Sequence, residues 1–426
     1  MELSKEIYQS PRITGEILDC SMPMTFDQYN NCGFGCLYCF STFQRGIGLG
    51  SEDYWKKQNV KAVSFEKFKK IFKRGYKGEF AYIVKNRKPM QWGGLSDPFC
   101  PIEEKFGVGL KILDFLGSIK YPVSFSSKSD LLLRDKRYWD SFMKNKENYH
   151  YKASIITLNE KISKVLEAGT PSPKRRLEVL KKLSAAGVET TLRFRPFIIG
   201  ISDADYEELI RLAAEAGVKS VSVEFFCLEM RANKQTLAKY KKMSELCGFD
   251  IVEYYKKLSK GSGYLRLNYN LKLKYIKKIK ESCEKYGLRL HVSDAHHKEL
   301  GCTGSCCGLP DNHPTLSNYQ HSQFTNAIII ARKKGEVKFS DISEDFKWLK
   351  SFKWCKAPGF NTGGNHNRLK KQDFTMFEYM RNAWNNPNSG HSPYKYFDKA
   401  LIPSGIDKEG NIIYRYNGVW KNGKSG

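Results

Sequence analysis

The chain has 426 residues, 41% of them hydrophobic and 13% aromatic, which allows one large α/β domain with an appendage or two domains. No apolar run approaches the roughly 18 residues of a membrane span, and the opening MELSKEIYQS has acidic side chains and no apolar signal segment. A formal charge of +26 favours a polyanionic partner, nucleic acid being the commonest, although a lysine-rich solvated surface has the same composition.

That charge is spread out, with 18 Lys and Arg against 10 Asp and Glu over residues 301–426 and a similar excess before them. The expected compartment is the reducing cytoplasm, so twelve cysteines read as metal ligands, core residues or reactive thiols and not as disulfides.

In chain order, the first motif is NNCGFGCLYCF at residues 30–40, a C-x3-C-x2-C array of Cys32, Cys36 and Cys39. From residue 75 to 295 strand-like and helix-like segments alternate. AYIVKNRKPMQWGG predicts a strand running into a loop, EEKFGVGLKILDFLGSI a helix, YPVSFSSK a strand and YKASIIT another. The helix SPKRRLEVLKKLSAAG, with Ser172 to start and Gly187 to stop it, precedes the strand VETTLRFRPF; the helix SDADYEELIRLAAEAG, framed by Ser202 and Gly217, precedes SVSVEFF. A lysine-rich helix, NLKLKYIKKIKESCEKYG, leads to a last strand, LRLHVSD.

This alternation predicts a parallel sheet or barrel of βα units with its chemistry at the carboxyl ends of the strands. Beyond GCTGSCCGLPDNHPTLSNYQ the pattern turns irregular. The expected organisation is a domain over residues 1–300 and a cysteine-containing accessory region or lid over 301–426.

C-x3-C-x2-C supplies one thiolate fewer than structural zinc or an ordinary cubane takes. Either a ligand from elsewhere completes a zinc site, or a cluster keeps an open corner. Gly33 and Gly35 would let the backbone wrap closely, while Tyr38 and Phe40 would shield the last ligand from water.

The array resembles that of the radical S-adenosylmethionine (SAM) superfamily. The resemblance implies a partial (β/α)6 TIM-type barrel of parallel strands with an irregular C-terminal extension. It also implies a 4Fe-4S cluster on Cys32, Cys36 and Cys39, and S-adenosylmethionine chelated at the open iron. One-electron cleavage of that cofactor gives a 5'-deoxyadenosyl radical that abstracts hydrogen from a substrate, with a flavodoxin or ferredoxin as reductant.

GGLSDPFCPIEE (93–104), SFSSKSD (124–130) and LEAGTPSPKRRL (166–177) narrow the likeness to the spore photoproduct lyase group, over about residues 25–225. Carried over, Ser96 and Lys128 resemble the residues at the cofactor carboxylate. Gly93 and Gly94 resemble the turn that admits its amino group, and PFIIGISDAD places Ile199 to Ile201 beside the adenine. Glu167 is either an orienter of cofactor hydroxyls or, with Arg175 or Arg176, half of a helix-entry ion pair.

The likeness fails at one position: the hydrogen-donating cysteine two residues before the serine is Gly94 here, and the nearest thiol in the segment is Cys100. A second group, HVSDAHHKELGCTGSCCG, holds His291, His296, His297, Cys302, Cys306 and Cys307, with Cys283 and Cys355 elsewhere. Cys302, Cys306 and Cys307 suit an auxiliary iron-sulfur cluster or zinc; Cys306 and Cys307 equally suit a hydrogen-donating thiol pair.

The leading expectation is a radical SAM enzyme acting on a nucleic acid base or nucleotide. Radical modification of a peptide or small metabolite with an auxiliary cluster is the alternative, and a zinc-stapled nucleic-acid-binding protein a third.

Overall fold

A computed structural model describes residues 2–14, 20–41, 59–230, 234–259, 264–321, 324–351, 375–390, 392–397 and 399–417. Eight strands build the central sheet: β1 (Arg12–Ile13), β2 (Met24–Phe26), β3 (Met90–Trp92), β4 (Val123–Ser127), β5 (Tyr149–Ser154), β6 (Glu189–Phe197), β7 (Ser220–Phe225) and β8 (Arg289–Val292). They pair in chain order, β1 antiparallel to β2 and the rest parallel. A sheet whose strands follow one another without reversal winds in one direction, as a TIM barrel does, whereas a doubly wound sheet reverses. With β1 and β8 as its two edges the barrel is open, and it has seven parallel strands, one more than expected.

Each strand presents its side chains alternately to two faces. One face is apolar and packs on helices: Phe125 of β4 lies 5.2 Å from Phe142 of the helix Lys136–Met143 and 5.0 Å from Tyr149 of β5. The opposite, concave face is polar. Ser124 Oγ lies 2.9 Å from His150 Nδ1, His150 Nε2 lies 2.7 Å from Thr191 Oγ1, and Thr191 Oγ1 lies 2.7 Å from Ser220 Oγ.

Residues 301–309 lie against this polar face. The Cys302 amide donates to Leu290 O at 2.8 Å, His291 Nδ1 donates to Ser305 O at 3.0 Å, and a Cβ on Gly308 would stand 2.5 Å from Thr191 Oγ1. Further on, the helix Phe324–Lys334 and an antiparallel sheet of Glu336–Val337, Leu401–Ile406 and Ile412–Tyr416 pack around Trp384, whose ring lies 5.1 Å from Tyr414. No helix among the described residues is long and apolar enough to cross a membrane.

Besides the extra strand and the antiparallel sheet in a region expected to be irregular, the sequence expectations fail in three places. AYIVK forms a short helix, Ala81–Lys85, and the strand begins only at Met90. The helix expected from residue 103 is two helices, Pro101–Phe106 and Val108–Ser118, parted by Gly107. Ser202 opens a 3-10 turn with its hydroxyl bonded to the Ile198 amide, and the α-helix starts at Tyr206.

Candidate active site

The loop after β2 carries the three thiols, and its shape is fixed from three sides. Asn31 Oδ1 accepts from the amides of Cys32 (2.7 Å) and Gly33 (3.3 Å), and Leu37 N donates to Leu166 O at 2.8 Å. Gly169 N donates to Phe34 O at 3.1 Å, tying the loop to the end of the helix Glu160–Leu166. Tyr38 is buried and its hydroxyl donates to Glu167. Phe40, expected to shield the last ligand, is 45% exposed and does not.

Cys32 is hydrogen-bonded to the buried thiol of Cys100, which together with burial pushes its thiol up. Burial also pushes Cys36 up, against the pull of the nearby Lys128 ammonium. Lys239, reaching in from the helix Lys234–Cys247, feels both Cys36 and Cys39.

The loops after β3 and β4 meet beside these thiols, joined by two carboxylates. Asp27 Oδ1 accepts from the amides of Leu95 (2.9 Å) and Ser96 (2.7 Å) and from Ser96 Oγ (3.2 Å), while its other oxygen pairs with Arg12 at 2.5 Å. Asp97 accepts from Phe99 N, Ser127 Oγ and Lys128 N at 2.6 to 2.9 Å, so it fixes the backbone from which Lys128 projects. The Lys128 ammonium sits 5.6 Å from the Tyr38 ring.

Gly93 has φ of +97°, and a Cβ there would stand 2.6 Å from Ser126 O; one on Gly94 would stand 2.4 Å from Thr25 Oγ1. Glu167 and Arg176 pair with each other at 2.6 Å, both about 1% exposed. Burial works against the Glu167 anion, yet Arg176 and Lys128 hold its carboxyl below the usual range. Arg175 pairs instead with Asp130 and Glu178. Ile199 and Ile201 are buried in the turn after β6.

The C-terminal cysteines divide. Cys302 is exposed and its charged neighbours are Cys283 and Lys280, whereas Cys306 and Cys307 lie with their sulfurs 3.7 Å apart beside Lys152 and Arg195. The three are not brought together, since the turn at residues 303–305 sends Cys302 and the pair to different sides. Cys100 caps the helix Pro101–Phe106 against Cys32, away from that pair. His291 is buried; the side chain of His296, and Cys355, lie outside what is described.

Sequence reasoning missed Asp27, Asp97, Lys152, Arg193, Arg195 and Lys239. A period-two reading of YHYKAS and ETTLRFRPF would have set the basic residues of β5 and β6 on one face; nothing local marks Lys239, which arrives by tertiary packing.

Residues 28–213 match the sequence model of the Radical SAM superfamily. The chain carries a radical SAM domain. Among curated proteins it is 25% identical over 181 residues to an uncharacterized protein of Methanocaldococcus jannaschii, covering 42% of this chain and 62% of that one. It is 22% identical over 239 residues to an uncharacterized protein of Mycobacterium tuberculosis, covering 51% and 66%. The chain thus spans just under two thirds of the length of these relatives.

Two similar solved structures are a spore photoproduct lyase mutant, at 14% identity and TM-score 0.48 over 68% of this chain and 81% of that one, and Streptococcus suis SuiB bound to S-adenosylmethionine, at 15% and 0.36 over 65% and 59%. At that level neither bears on substrate.

A radical SAM domain implies a 4Fe-4S cluster and S-adenosylmethionine, and the residues present fit the cluster. Cys32, Cys36 and Cys39 share one tied-down loop at the carboxyl end of β2, and the buried thiols have cationic neighbours in Lys128 and Lys239 that favour thiolate. No three His, Cys, Asp or Glu side chains among the described residues converge on a single ion. A cubane spaces its thiolates over separate corners and does not need that convergence.

Proposed function

We propose that the chain is a radical SAM enzyme that modifies or repairs a nucleic acid base or nucleotide. The observation that carries the reading is the thiol loop at the carboxyl end of a parallel, barrel-like sheet, above a concave face that is polar and cationic. The cluster and S-adenosylmethionine, if bound there, would supply radical chemistry for abstracting a hydrogen atom from the substrate.

The chain's own residues do the rest. Cys32, Cys36 and Cys39 would hold the cluster, and Lys128, its backbone fixed by Asp97, would receive the cofactor carboxylate; Ser96, expected there as well, gives its one hydroxyl proton to Asp27. Gly93 and Gly94, where a Cβ would strike Ser126 O and Thr25 Oγ1, would form the tight turn at its amino group, and Ile199 and Ile201 would flank the adenine; the Glu167–Arg176 pair positions Tyr38 and so the loop. Of the candidate hydrogen-donating thiols, the Cys306 and Cys307 pair, with sulfurs 3.7 Å apart, is favoured over Cys100, because Cys100 is engaged with Cys32. The net charge of +26 supports a phosphate-bearing substrate.

The test is iron and acid-labile sulfide per chain after anaerobic reconstitution, with release of 5'-deoxyadenosine from S-adenosylmethionine. One cluster is expected, and the Cys32, Cys36 and Cys39 to Ala triple variant should lose all of it. A wild type that binds zinc and no iron sinks the reading, while iron and sulfide kept by the variant would assign an auxiliary cluster to the remaining cysteines.

A further inference from the structure

Beneath the mouth of the barrel the concave face gathers Lys152, Arg193 and Arg195 against one carboxylate among the described residues, Glu224. Lys152 of β5 is fully buried, and its one hydrogen bond is to Gln91 Oε1 at 2.7 Å. Arg193 and Arg195 of β6 point to the same side, close enough to Lys152 that each disfavours its ammonium. The acidic partner there is Glu224, which pairs with Arg195 and is 43% exposed, and Cys307 Sγ accepts from Arg195 at 3.7 Å.

A second observation is independent of the charge. Arg193, Ser222 and His291 stand in register on β6, β7 and β8, and each has a buried polar atom with no partner: Arg193 Nε, Ser222 Oγ and His291 Nε2. Buried polar atoms are nearly always bonded, so three orphans side by side mark a place built for something else. Their chemistry is complementary to a phosphate. Arg193 Nε donates and Ser222 Oγ can do so, while His291, whose Nδ1 proton is used on Ser305 O, offers Nε2 as an acceptor for a phosphate hydroxyl.

We propose that Lys152, Arg193 and Arg195, with Ser222 and His291, form a subsite for a phosphate group of the substrate inside the barrel. The proposal rests on the reading of the chain as acting on nucleotides and locates the anion that such a substrate brings. Arg195 is 17% exposed at its side chain, whereas Lys152 is fully buried.

The experiment is calorimetric titration of the purified full-length chain, before cluster reconstitution, with inorganic pyrophosphate, thymidine 5'-monophosphate, thymidine and succinate. Pyrophosphate and the monophosphate should bind and thymidine should not. Arg193→Gln, Lys152→Met and Arg195→Gln should each weaken binding about tenfold or more, with Lys136→Gln on the outer surface unchanged. Thermal melts identify any variant that fails to fold, and the partly exposed Arg195 is the position that tolerates change best.

Equal binding by wild type and the folded variants overturns the proposal, as does succinate binding as tightly as pyrophosphate. Iron content and S-adenosylmethionine cleavage are read separately: phosphate binding in a chain that takes up no iron would leave the subsite standing and defeat the radical reading.

Discussion

At Glu167 and Arg176 two opposite charges sit about 1% exposed, 2.6 Å apart, with a second guanidinium nitrogen donating to Ser154 O at 2.7 Å. Such a pair adds little net stability over apolar residues, but removing one member strands the other in a medium that solvates it poorly. Arg176→Leu should therefore cost about 3–5 kcal/mol in urea unfolding, and adding Glu167→Leu should restore much of it. If the double variant is no better than the single, the pair is not what holds this corner. LEAGTPSPKRR made the two residues visible as candidates; that Arg176 takes Glu167 while Arg175 takes Asp130 depends on which face of the helix Pro173–Ala185 each occupies.

The docking of one element on another is close where the thiol loop meets the turn after the helix Glu160–Leu166. A Cβ on Gly169 would stand 2.8 Å from Phe34 O and 3.0 Å from Phe34 Cα, backbone atoms that cannot swing aside as a side chain can. Gly169→Ala should push the loop outward and reduce iron bound after reconstitution to less than half of wild type, with a stability loss of about 1–3 kcal/mol. Full iron content would show that the loop accommodates the methyl group.

Elements with a long, regular pattern were legible: Pro173–Ala185, capped by Ser172 Oγ, and the central-sheet strands from Val123 onward fall where the periodicity put them, whereas the sheet of Glu336–Val337, Leu401–Ile406 and Ile412–Tyr416 lies in a region read as irregular. Short ones were not. Five residues such as AYIVK fit a strand or a helix equally, and burial of Ile83 on one side, a tertiary contact, made the choice.

For the whole molecule, the cationic interior has a measurable effect on stability. Burial, with Arg193 and Arg195 alongside and Cys306 and Cys307 opposing them, lowers the Lys152 ammonium to about 8 from 10.5; Gln91 bonds it without charge. The unfolded chain then holds a proton that the folded chain has released between pH 8 and 10.5, so stability attributable to Lys152 rises across that window and is flat below it. Lys152→Met should be more stable than wild type at pH 7, by at most about 3 kcal/mol, and the difference should shrink towards pH 10.5 in parallel denaturant titrations. A difference independent of pH would mean that Lys152 keeps its ordinary ammonium in the folded chain.

The spacing of Cys32, Cys36 and Cys39 and the alternation of strands and helices were readable from sequence, because ligand spacing and hydrophobic period are local properties of a chain. Which residues meet inside the barrel was decided only by the tertiary structure. Winding seven parallel strands into one open barrel brings Lys152, Arg193, Ser222 and His291, far apart in sequence, onto one face, and sends Cys307 there while Cys302 stays outside.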